Sequence, residues 1–445
     1  MIYKYTSIDL FSGPGGLCTG LKWAGIKPLI AIEWSYWTVQ TYAASHNADI
    51  FELDKYLDNT LENKESFFLP NNKTLLIYGD INKVTNDLIM KILKKRFNVT
   101  SVDIVTGGAP CESFSMAGSR KEDDERNSLY KNILRIARIT NSKLFLFENV
   151  KGLFSKKYNG IVGEMYKKVC DDFQSKIPNM TNYRLVTSDK TTVLLKASDY
   201  GVPQSRERLF LLGINQKFPN VTFCYPKKTH GTSNKKTVVT VNMAISDLPN
   251  LQPGEENNHY SFNINEITNL VQKKYFSYIR GKNSQIPSHI AYDPSILTCH
   301  KAPGHTLKMR KRITLIRPGE NMKTSYQRLV NEGNEELALQ YFPKKIYAAR
   351  NRRLLPHETS FTVTSHCLDE MLHPFQDRGL TPREVARLQS FPDWYQFRGP
   401  FVKFHSDPDQ DLYEQIGDAI PPLLAYALGK EIVKTLKQIY LENNL

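Results

Sequence analysis

The sequence predicts an α/β protein in which helices cover both faces of a mostly parallel sheet. In the first 215 residues, short apolar runs with β-branched side chains alternate with segments of helical spacing, and small polar or glycine-rich turns separate them. After residue 215, Lys, Asn, Pro and Tyr become frequent and periodic segments are short. At 445 residues, 40% of them hydrophobic, the chain is long enough for about two domains. We therefore expect a large α/β domain and a smaller, more irregular one.

Five apolar runs predict the strands of this sheet. In chain order they are TSIDLF (6–11), PLIAIEW (28–34), TLLIYGDI (74–81), SVDIVTGG (101–108) and KLFLFENV (143–150). Ligands of open parallel sheets bind at the carboxyl ends of the strands. The residues most suited to chemistry come at or just after these ends, namely Asp9 to Gly16, Glu33, Asp80, Cys111 and Glu148. The sequence therefore predicts one site along this edge of the sheet.

Helices are predicted again towards the C-terminus. In LTPREVARLQSFPDW, Thr381 can cap a helix that has Pro382 at its first position, and Glu384 completes a capping box. A last helix is predicted from IPPLLAYALGKEIVKTL onward. The predicted division is a first domain of residues 1–215, completed by 356–445, and a second domain of residues 216–355.

The chain carries a large excess of positive charge. It has 59 Lys and Arg against 45 Asp and Glu, which gives a formal net charge of +14. Thirteen Lys and Arg and four Glu lie between His300 and Arg353, so this segment alone holds +9. Its Pro, Gly and His residues argue against a merely solvated helix face. Such an excess favours a polyanionic partner, nucleic acid first and an acidic membrane surface second.

The cysteines indicate a reducing compartment. All six (18, 111, 170, 224, 299 and 367) are scattered without a CxxC spacing, which disfavours both a disulfide framework and a zinc site. No apolar run approaches the roughly 18 residues of a membrane span. The N-terminal MIYKYTSIDLF lacks the architecture of a signal peptide. We expect a cytoplasmic protein that binds no metal ion.

The first three strand ends carry residues suited to a nucleoside cofactor. SGPGG (12–16) gives a tight turn with close backbone approach, although it is not the GxGxxG of dinucleotide sites. Glu33 follows Gly13 by twenty residues, which is the place of an acidic side chain that binds ribose hydroxyls. Asp80 ends the third strand, where it can accept a hydrogen bond from an adenine amino group. The sequence has no GxxxxGK(S/T) loop for a nucleoside triphosphate.

Cys111, Glu148 and the arginines of QSRER are candidates for catalysis, and each has a simpler alternative. Pro110 stiffens the backbone beside Cys111, and the neighbouring glycines and serines are poor core residues, which favours a nucleophilic thiol over a buried structural one. Glu148 is either a plain strand-end carboxylate or a half-buried acid that shares a proton. Arg206 and Arg208 belong either to a charged turn or to a pair of fixed donors for an anionic ring or a phosphate.

Seven motifs, in this order, resemble those of the DNA cytosine-5 methyltransferases. They are DLFSGPGG (9–16), GD (79–80), PCESFS (110–115), ENV (148–150), QSRER (204–208), LTPREVARLQSFP (380–392) and QIGDAIPP (415–422). The resemblance covers the chain except for about 215–355, where this family keeps its variable target-recognition region. It implies a Rossmann-like, S-adenosylmethionine-dependent methyltransferase domain and a smaller, irregular target-recognition domain that binds double-stranded DNA.

The resemblance also implies a role for each matched residue. Cys111 is similar to the nucleophile that adds to C6 of cytosine, and Glu148 to the acid at N3 and the amino group. Arg206 is similar to the donor on the O2 side of the base, which also helps to lower the thiol pKa, and Arg208 of the same motif is counted with the catalytic residues. The residues matched to the S-adenosylmethionine site are Phe11, Gly13, Pro14, Gly16, Glu33, Trp34, Asp80, Ile81, Pro110 and Asp418. The target cytosine must leave the duplex to reach the thiol.

Two residues depart from the family pattern. Glu112 follows the cysteine where the family usually has glutamine, and Asp418 stands where it usually has asparagine. Glu112 only accepts hydrogen bonds, which is unfavourable beside phosphates, and Asp418 lacks an amide donor towards the cofactor. We expect neither change to abolish activity, because neither alters the predicted nucleophile or acid.

The resemblance predicts a stand-alone, monomeric modification enzyme of the bacterial restriction–modification type. It would methylate C5 of cytosine in a specific double-stranded DNA sequence, and a restriction endonuclease acting on the same sequence is a candidate partner. Two alternatives stay open, a tRNA cytosine-5 methyltransferase and a non-catalytic DNA-binding relative. The long basic segment favours DNA over tRNA, and the presence of Cys111 and Glu148 argues against a non-catalytic protein.

Overall fold

Contacts divide the chain into two compact units. The computed structural model describes residues 3–110, 125–231, 238–261, 263, 266–403 and 409–443. The first unit comprises Met1–Lys196, Glu207–Lys227 and Pro422–Leu445, and the second comprises Ala197–Arg206 and Lys228–Pro421. By contacts, residues 356–421 belong to the second unit, whereas the sequence assigns them to the first domain. That residues 216–355 recognise the target stays a prediction.

One mostly parallel sheet forms the centre of the first unit. Among the described residues its nine strands are β1 (Tyr5–Leu10), β2 (Ile26–Glu33), β3 (Asp49–Glu52), β4 (Leu75–Tyr78), β5 (Ile104–Gly107), β6 (Leu144–Val150), β9 (Tyr183–Leu185), β10 (Leu194–Lys196) and β11 (Glu207–Asn215), while β7 (Lys157–Tyr158) and β8 (Ile161–Val162) form a separate hairpin. The order is β10–β11–β6–β5–β1–β2–β4–β3, with β9 paired to β11. Strands β1 to β6 pair in parallel, and β11 is antiparallel to β6, β9 and β10. The predicted fold class is confirmed.

Helices alternate with the strands along the chain. The first unit contains α1 (Gly16–Ala24), α2 (Tyr36–His46), α3 (Leu53–Leu57), α4 (Asn86–Phe97), α5 (Lys131–Ile139), α6 (Glu164–Gln174) and α7 (Lys190–Val193). The second contains α8 (Val241–Ile245), α9 (Leu270–Ile279), α10 (Leu307–Thr314), α11 (Met322–Asn331), α12 (Glu335–Tyr341), α13 (Cys367–Glu370), α14 (Pro382–Leu388) and α15 (Leu412–Asp418), with strands β12 (Arg352–Arg353) and β13 (Met371–Leu372). The last helix, α16 (Pro422–Asn443), belongs to the first unit.

The core of the first unit lies on both faces of the sheet. Leu144, Phe145, Leu146 and Phe147 follow one another in β6 and are all fully buried. Because successive strand residues point to opposite faces, such a run requires cover on both sides. Part of that cover comes from α1 and α16, where a Cβ on Gly20 would come within 2.4 Å of a carbonyl oxygen of α16. A glycine is therefore needed for this close approach.

The second unit is more helical than its composition indicates. A hydrophobic cluster joins α10, α11 and α12 through Ile313, Leu329 and Phe342, among others. The predicted capping box is confirmed at the start of α14, where the Thr381 hydroxyl accepts from the Glu384 N–H at 3.1 Å and the Glu384 carboxylate accepts from the Thr381 N–H at 2.8 Å. None of the helices in the described part of the chain has the length and apolar character to cross a membrane.

Candidate active site

The turn after β1 contains three residues with positive φ. Phe11 (φ 53°), Gly13 (φ 55°) and Gly15 (φ 95°) have left-handed backbones, and Gly15 caps α1. The N–H of Gly15 donates to the carbonyl of Ser12 at 3.1 Å, which closes the turn. Apart from its chain neighbours, no described atom lies within 4 Å of where a Cβ of Gly13 would stand. The turn therefore presents open backbone at the carboxyl end of β1.

Glu33 joins this turn to the end of β2. One carboxylate oxygen accepts from the N–H of Gly13 at 2.9 Å, and the other accepts from those of Trp34 and Ser35 at 2.9 and 3.0 Å. Burial raises the pKa of Glu33, and these backbone hydrogen bonds offset only part of the rise. The predicted positions Gly13 and Glu33 are thus in direct contact.

Trp34 and Asp80 lie at neighbouring strand ends. Glu33 of β2 is in register with Tyr78 of β4, so the residues that follow both strands emerge along the same edge. The Trp34 side chain is 74% exposed. Asp80 is also exposed, and its carboxylate accepts from the N–H of Asn82 at 2.9 Å, capping the short 3-10 helix Ile81–Lys83.

The residues of this edge fit a nucleoside ligand. The exposed indole of Trp34 offers an apolar face after β2, and the exposed carboxylate of Asp80 offers an acceptor after the neighbouring strand β4. The hydroxyl oxygen of Ser12 is buried and has no hydrogen-bond partner among the described residues. Pro14 and Gly16 are buried at the start of α1. The part that each residue takes in cofactor binding stays a prediction.

A second buried carboxyl lies within β1. One oxygen of Asp9 accepts from the Thr106 hydroxyl at 2.8 Å, and the other has no partner in the described part of the chain. Burial raises the pKa of Asp9 to about 7, and the nearby charge of Glu33 adds to the rise. In the sequence, Asp9 stands out as an acidic residue inside an apolar strand. The sequence alone does not predict that its pKa is raised.

Glu148 and Arg208 meet across the antiparallel pair of β6 and β11. Glu148 is opposite Phe210 and Val150 is opposite Arg208, so Arg208 is a diagonal neighbour of Glu148 on the same face. The Arg208 Nε atom lies 3.0 Å from Glu148 Oε1, and the two side chains are only 13% and 11% exposed. This ion pair fixes the carboxylate near the carboxyl end of β6.

Two residues that the sequence prediction omits shape this corner. A Cβ on Gly108 would stand 2.5 Å from Glu148 Oε2, so a larger residue would displace the carboxylate. The Asn149 side-chain amide donates to the carbonyl of Ala109 at 3.2 Å, which ties β6 to the segment that continues into Pro110. The glycine pair before Pro110 and the asparagine of ENV were the available signals.

Arg206 and Asp418 belong to the second unit. The Arg206 guanidinium is buried and donates to the carbonyl of Val363 at 2.6 Å and to that of Asp418 at 3.5 Å. The Asp418 carboxylate is exposed and accepts from the Gln410 amide at 2.7 Å. The sequence groups Arg206 with Arg208, whereas the contact division separates them. Their roles towards a substrate stay predictions.

Cys111, the predicted nucleophile, and Glu112 lie outside the described residues, and their roles stay predictions. Of the described cysteines, Cys18, Cys170 and Cys367 are buried. Burial raises the pKa of Cys18 to about 12 and that of Cys170 to about 11, which disfavours the nucleophilic thiolate. Within the described ranges, no group of three or more His, Cys, Asp or Glu could hold a metal ion.

Comparisons with known proteins match almost the whole chain. The family model of C-5 cytosine-specific DNA methylases matches residues 5–79 and 52–434. The type II methyltransferase M.DdeI of Desulfomicrobium norvegicum is 29% identical over 444 residues, which cover 98% of this chain and 90% of that protein. The type II methyltransferase M.XorII of Xanthomonas oryzae pv. oryzae is 31% identical over 443 residues, which cover 97% of this chain and 85% of that protein.

A solved structure also matches along the chain. It is an E. coli protein described as a DNA modification methyltransferase encoded within a prophage, with a TM-score of 0.65 and 23% sequence identity. The match covers 98% of this chain and 100% of that one. At 23% identity this similarity supports the fold only, and the chemistry has to be inferred from the residues of the site.

Proposed function

Because the chain belongs to the family of C-5 cytosine-specific DNA methylases, we propose that it transfers a methyl group from S-adenosylmethionine to C5 of cytosine in a specific double-stranded DNA sequence. The proposal includes a target base that leaves the helix and a transient bond between the Cys111 sulfur and C6. Activity on DNA cytosine follows from the family, and the recognition sequence is left open.

The corner around Glu148 is the observation that carries the proposal. Arg208 fixes the carboxylate at 3.0 Å, and Gly108 leaves it room. The next residue of β6, Asn149, holds the carbonyl of Ala109, which is two residues before Cys111. An acid and the segment that leads to a thiol are therefore anchored to the same strand end. Addition of a thiol to cytosine requires the thiol and the acid to reach the same pyrimidine ring.

The proposed reaction begins at the thiol because C5 of cytosine is too weak a nucleophile to take a methyl group directly. The Cys111 thiolate adds to C6, and Glu148 supplies a proton at N3 as negative charge builds on the ring. Arg206 is proposed to hold the O2 side. C5 then has enamine character, and bound S-adenosylmethionine supplies the methyl group that it takes. Loss of the C5 proton to water or another base, departure of the thiolate from C6 and return of the N3 proton to Glu148 restore the aromatic ring, and S-adenosylhomocysteine is the second product.

The carboxyl ends of β1, β2 and β4 are proposed to hold the cofactor. Glu33 would accept from the ribose hydroxyls, Trp34 would stack on the adenine, and Asp80 would accept from the adenine amino group. The turn through Gly13 would place backbone against the methionine part. Three observations support this assignment: the open space at Gly13, the exposed indole of Trp34, and the Ser12 hydroxyl oxygen, which has no hydrogen-bond partner among the described residues.

Double-stranded DNA is the proposed substrate. The segment from His300 to Arg353 carries +9, and its cations would neutralise phosphates, so affinity should fall steeply as salt rises. Unstacking the target base costs a few kcal/mol, an amount that phosphate and groove contacts can offset. A bacterial restriction–modification context implies action in the cytoplasm, and a partner endonuclease remains part of the proposal.

Bisulfite sequencing of DNA from cells that express the chain tests the proposal directly. The host strain should lack cytosine-5 methylation of its own. We expect methylation of one cytosine within one short sequence context, and none when Cys111→Ala is expressed to the same level. If the protein methylates tRNA but not duplex DNA, the proposed substrate is wrong. If neither DNA nor tRNA becomes methylated, the proposed activity is wrong.

A further inference from the structure

Arg135 of α5 binds the turn that follows β4. Its guanidinium donates to the carbonyl of Ile81 at 3.2 Å and to that of Val84 at 3.0 Å. It also donates to the side-chain oxygens of Asn86 and Asn132 at 2.7 and 2.9 Å. All of these groups belong to the first unit. One side chain thus connects α5 to the turn and to the first residue of α4.

A second contact supports the same connection. The side-chain amide of Asn132, one turn before Arg135, donates to Asn82 Oδ1 at 3.0 Å. The backbone N–H of Asn82 in turn donates to the Asp80 carboxylate at 2.9 Å. The orientation of Asp80 therefore depends on a turn that α5 holds from the other side.

The geometry requires an arginine. Four acceptors lie around the guanidinium, two of them backbone carbonyls of the turn between Ile81 and Val84. A planar fork reaches such a set, whereas the ammonium of lysine is a point donor. Burial lowers the pKa of Arg135, so the site retains a desolvated cation because the acceptors compensate it.

We propose that Arg135 is a positioning residue for cofactor recognition, because it holds the Asp80–Val84 turn in the conformation in which Asp80 accepts from the adenine amino group. This inference rests on the proposed function and assigns a role to a residue outside the matched motifs. Arg135 acts through Asp80 and is not itself expected to touch the cofactor.

The test compares two ligands that differ at the adenine amino group. S-adenosylhomocysteine carries the amino group, and S-inosylhomocysteine carries a carbonyl oxygen there, which would face the Asp80 carboxylate. Calorimetry on the full-length protein should show at least a tenfold preference of the wild type for S-adenosylhomocysteine, because a site built for a donor rejects an analogue without it. Arg135→Lys should bind S-adenosylhomocysteine roughly tenfold more weakly and keep less than a threefold preference.

Arg138→Lys is the matched control. Arg138 lies one turn further along α5, and its guanidinium binds Ser175 after α6, away from the Asp80 turn. This variant should keep the wild-type preference even if it melts earlier. Asn132→Ala, a milder change, should shift the preference in the same direction as Arg135→Lys. Asp80→Ala should abolish the preference, and the double variant Asp80→Ala/Arg135→Lys should show no further loss.

Kinetics separate positioning from general damage. We expect Arg135→Lys to raise KM for S-adenosylmethionine while kcat at saturation and DNA affinity stay within twofold of the wild type. A wild type that binds neither homocysteine ligand would refute the proposed function rather than this inference. A wild type without a preference, or an Arg135→Lys variant that keeps the tenfold preference, would overturn the inference.

Discussion

Glu33 in the first unit and Glu384 in the second are both buried carboxyls, but their pKa values move in opposite directions. Burial raises the pKa of Glu33, and three backbone N–H donors compensate only in part. Burial also acts to raise the pKa of Glu384, but the charge and hydrogen bonds of Arg378 outweigh it, and the net pKa lies well below its ordinary value. The two nitrogens of the Arg378 fork lie 2.7 and 2.8 Å from the two carboxylate oxygens.

The second unit repeats this arrangement around Arg387. Its guanidinium lies 2.7 Å from both the Asp247 and the Asp393 carboxylates, and all three side chains are buried. Burial acts to lower the pKa of Arg387, yet the two carboxylates raise it well above its ordinary value. These charges are mutually neutralised and connect distant parts of the unit's own chain.

The comparison separates charges that hold the fold from charges that are left for chemistry. In the second unit the buried carboxylates of Asp247, Glu384 and Asp393 each have a fixed cation, so their hydrogen-bonding capacity is used within the protein. At the strand ends of the first unit, Glu33 is held by backbone N–H groups, and Asp9 has an oxygen without a partner among the described residues. Glu148 lies between these two cases, because it pairs with an arginine, Arg208, yet stands at a strand end of the first unit. Four predictions test this division.

Glu148→Gln should show the largest effect, and mainly on activity. It removes the proposed acid while keeping the shape of the side chain, so kcat should fall by about 10² to 10⁴. The lost charge opposite Arg208 should lower the melting temperature as well, but activity per folded molecule carries the test. Glu207→Gln on the same strand as Arg208 is the control, because the Glu207 side chain is 37% exposed and is paired with the solvent-exposed Lys151 at 2.9 Å. Near-normal turnover by Glu148→Gln would contradict the distinction between charges that stabilise the fold and charges that take part in chemistry.

Arg387→Met should act on stability. It removes the cation that Asp247 and Asp393 share and leaves each with one other arginine, Arg280 at 2.6 Å and Arg383 at 3.6 Å. Breaking a buried ion pair in this way costs about 3 kcal/mol of unfolding free energy. Urea unfolding measures this loss, and activity per folded molecule should stay near that of the wild type. Arg317→Met is the control in the same unit, since its ion pair with Glu332 is solvent-exposed and should contribute almost nothing. Equal losses in both variants would contradict the account.

Asp9→Asn should change the pH dependence of stability. Because folding raises the pKa of Asp9 to about 7, its stabilising contribution is present below about pH 4 and is lost as pH rises through about 7. A rise of about three pKa units corresponds to roughly 4 kcal/mol. Glu384 has a lowered pKa and should not titrate over this range. Urea unfolding at pH 5 and pH 8 should show the wild type losing stability relative to Asp9→Asn, and parallel profiles would refute the assignment.

Gly108→Ala should show the smallest effect of the four. Its Cβ would stand 2.5 Å from Glu148 Oε2, so the carboxylate must move while the fold accommodates one methyl group. A displacement of this kind costs up to about 10² in rate. Steady-state kinetics on duplex DNA should show a reduced kcat. Gly304→Ala is the control, because Gly304 is exposed, its φ is not in the left-handed region, and no described atom lies within 4 Å of where its Cβ would stand. An unaltered kcat would show that the position of Glu148 is less constrained than proposed.

The parallel part of the sheet is predictable because both its faces are covered. β1, β2, β4, β5 and β6 are almost entirely buried and rich in apolar residues, as burial from both faces requires. β3, with the sequence DIFE, is too short and too charged at its ends to give that signal. β11 contains the run LFLLGI and was predictable by the same rule, but its antiparallel direction depends on contacts with β6 that no local pattern records.

The sequence predicts where the site residues lie along the sheet, but it does not predict which side chains pair with one another. Glu33, Asp80 and Glu148 each end or follow a buried strand, so topology brings them to one edge. The ion pair of Glu148 with Arg208 depends on the register of two strands, and the titration of Asp9 depends on burial from both faces. In the second unit, α14 was predicted from its capping box, whereas α10 to α12 were missed because segments such as LKMRKRIT are short and highly charged.

The most direct test of the central claim is a covalent trap. A duplex carrying 5-fluorocytosine at the methylated position, incubated with the protein and S-adenosylmethionine, should give a complex that survives denaturation, because fluorine cannot leave C5 as a proton does. Peptide mapping should place the bond at Cys111. A complex through another cysteine, or none under conditions in which ordinary duplex is methylated, would contradict the account.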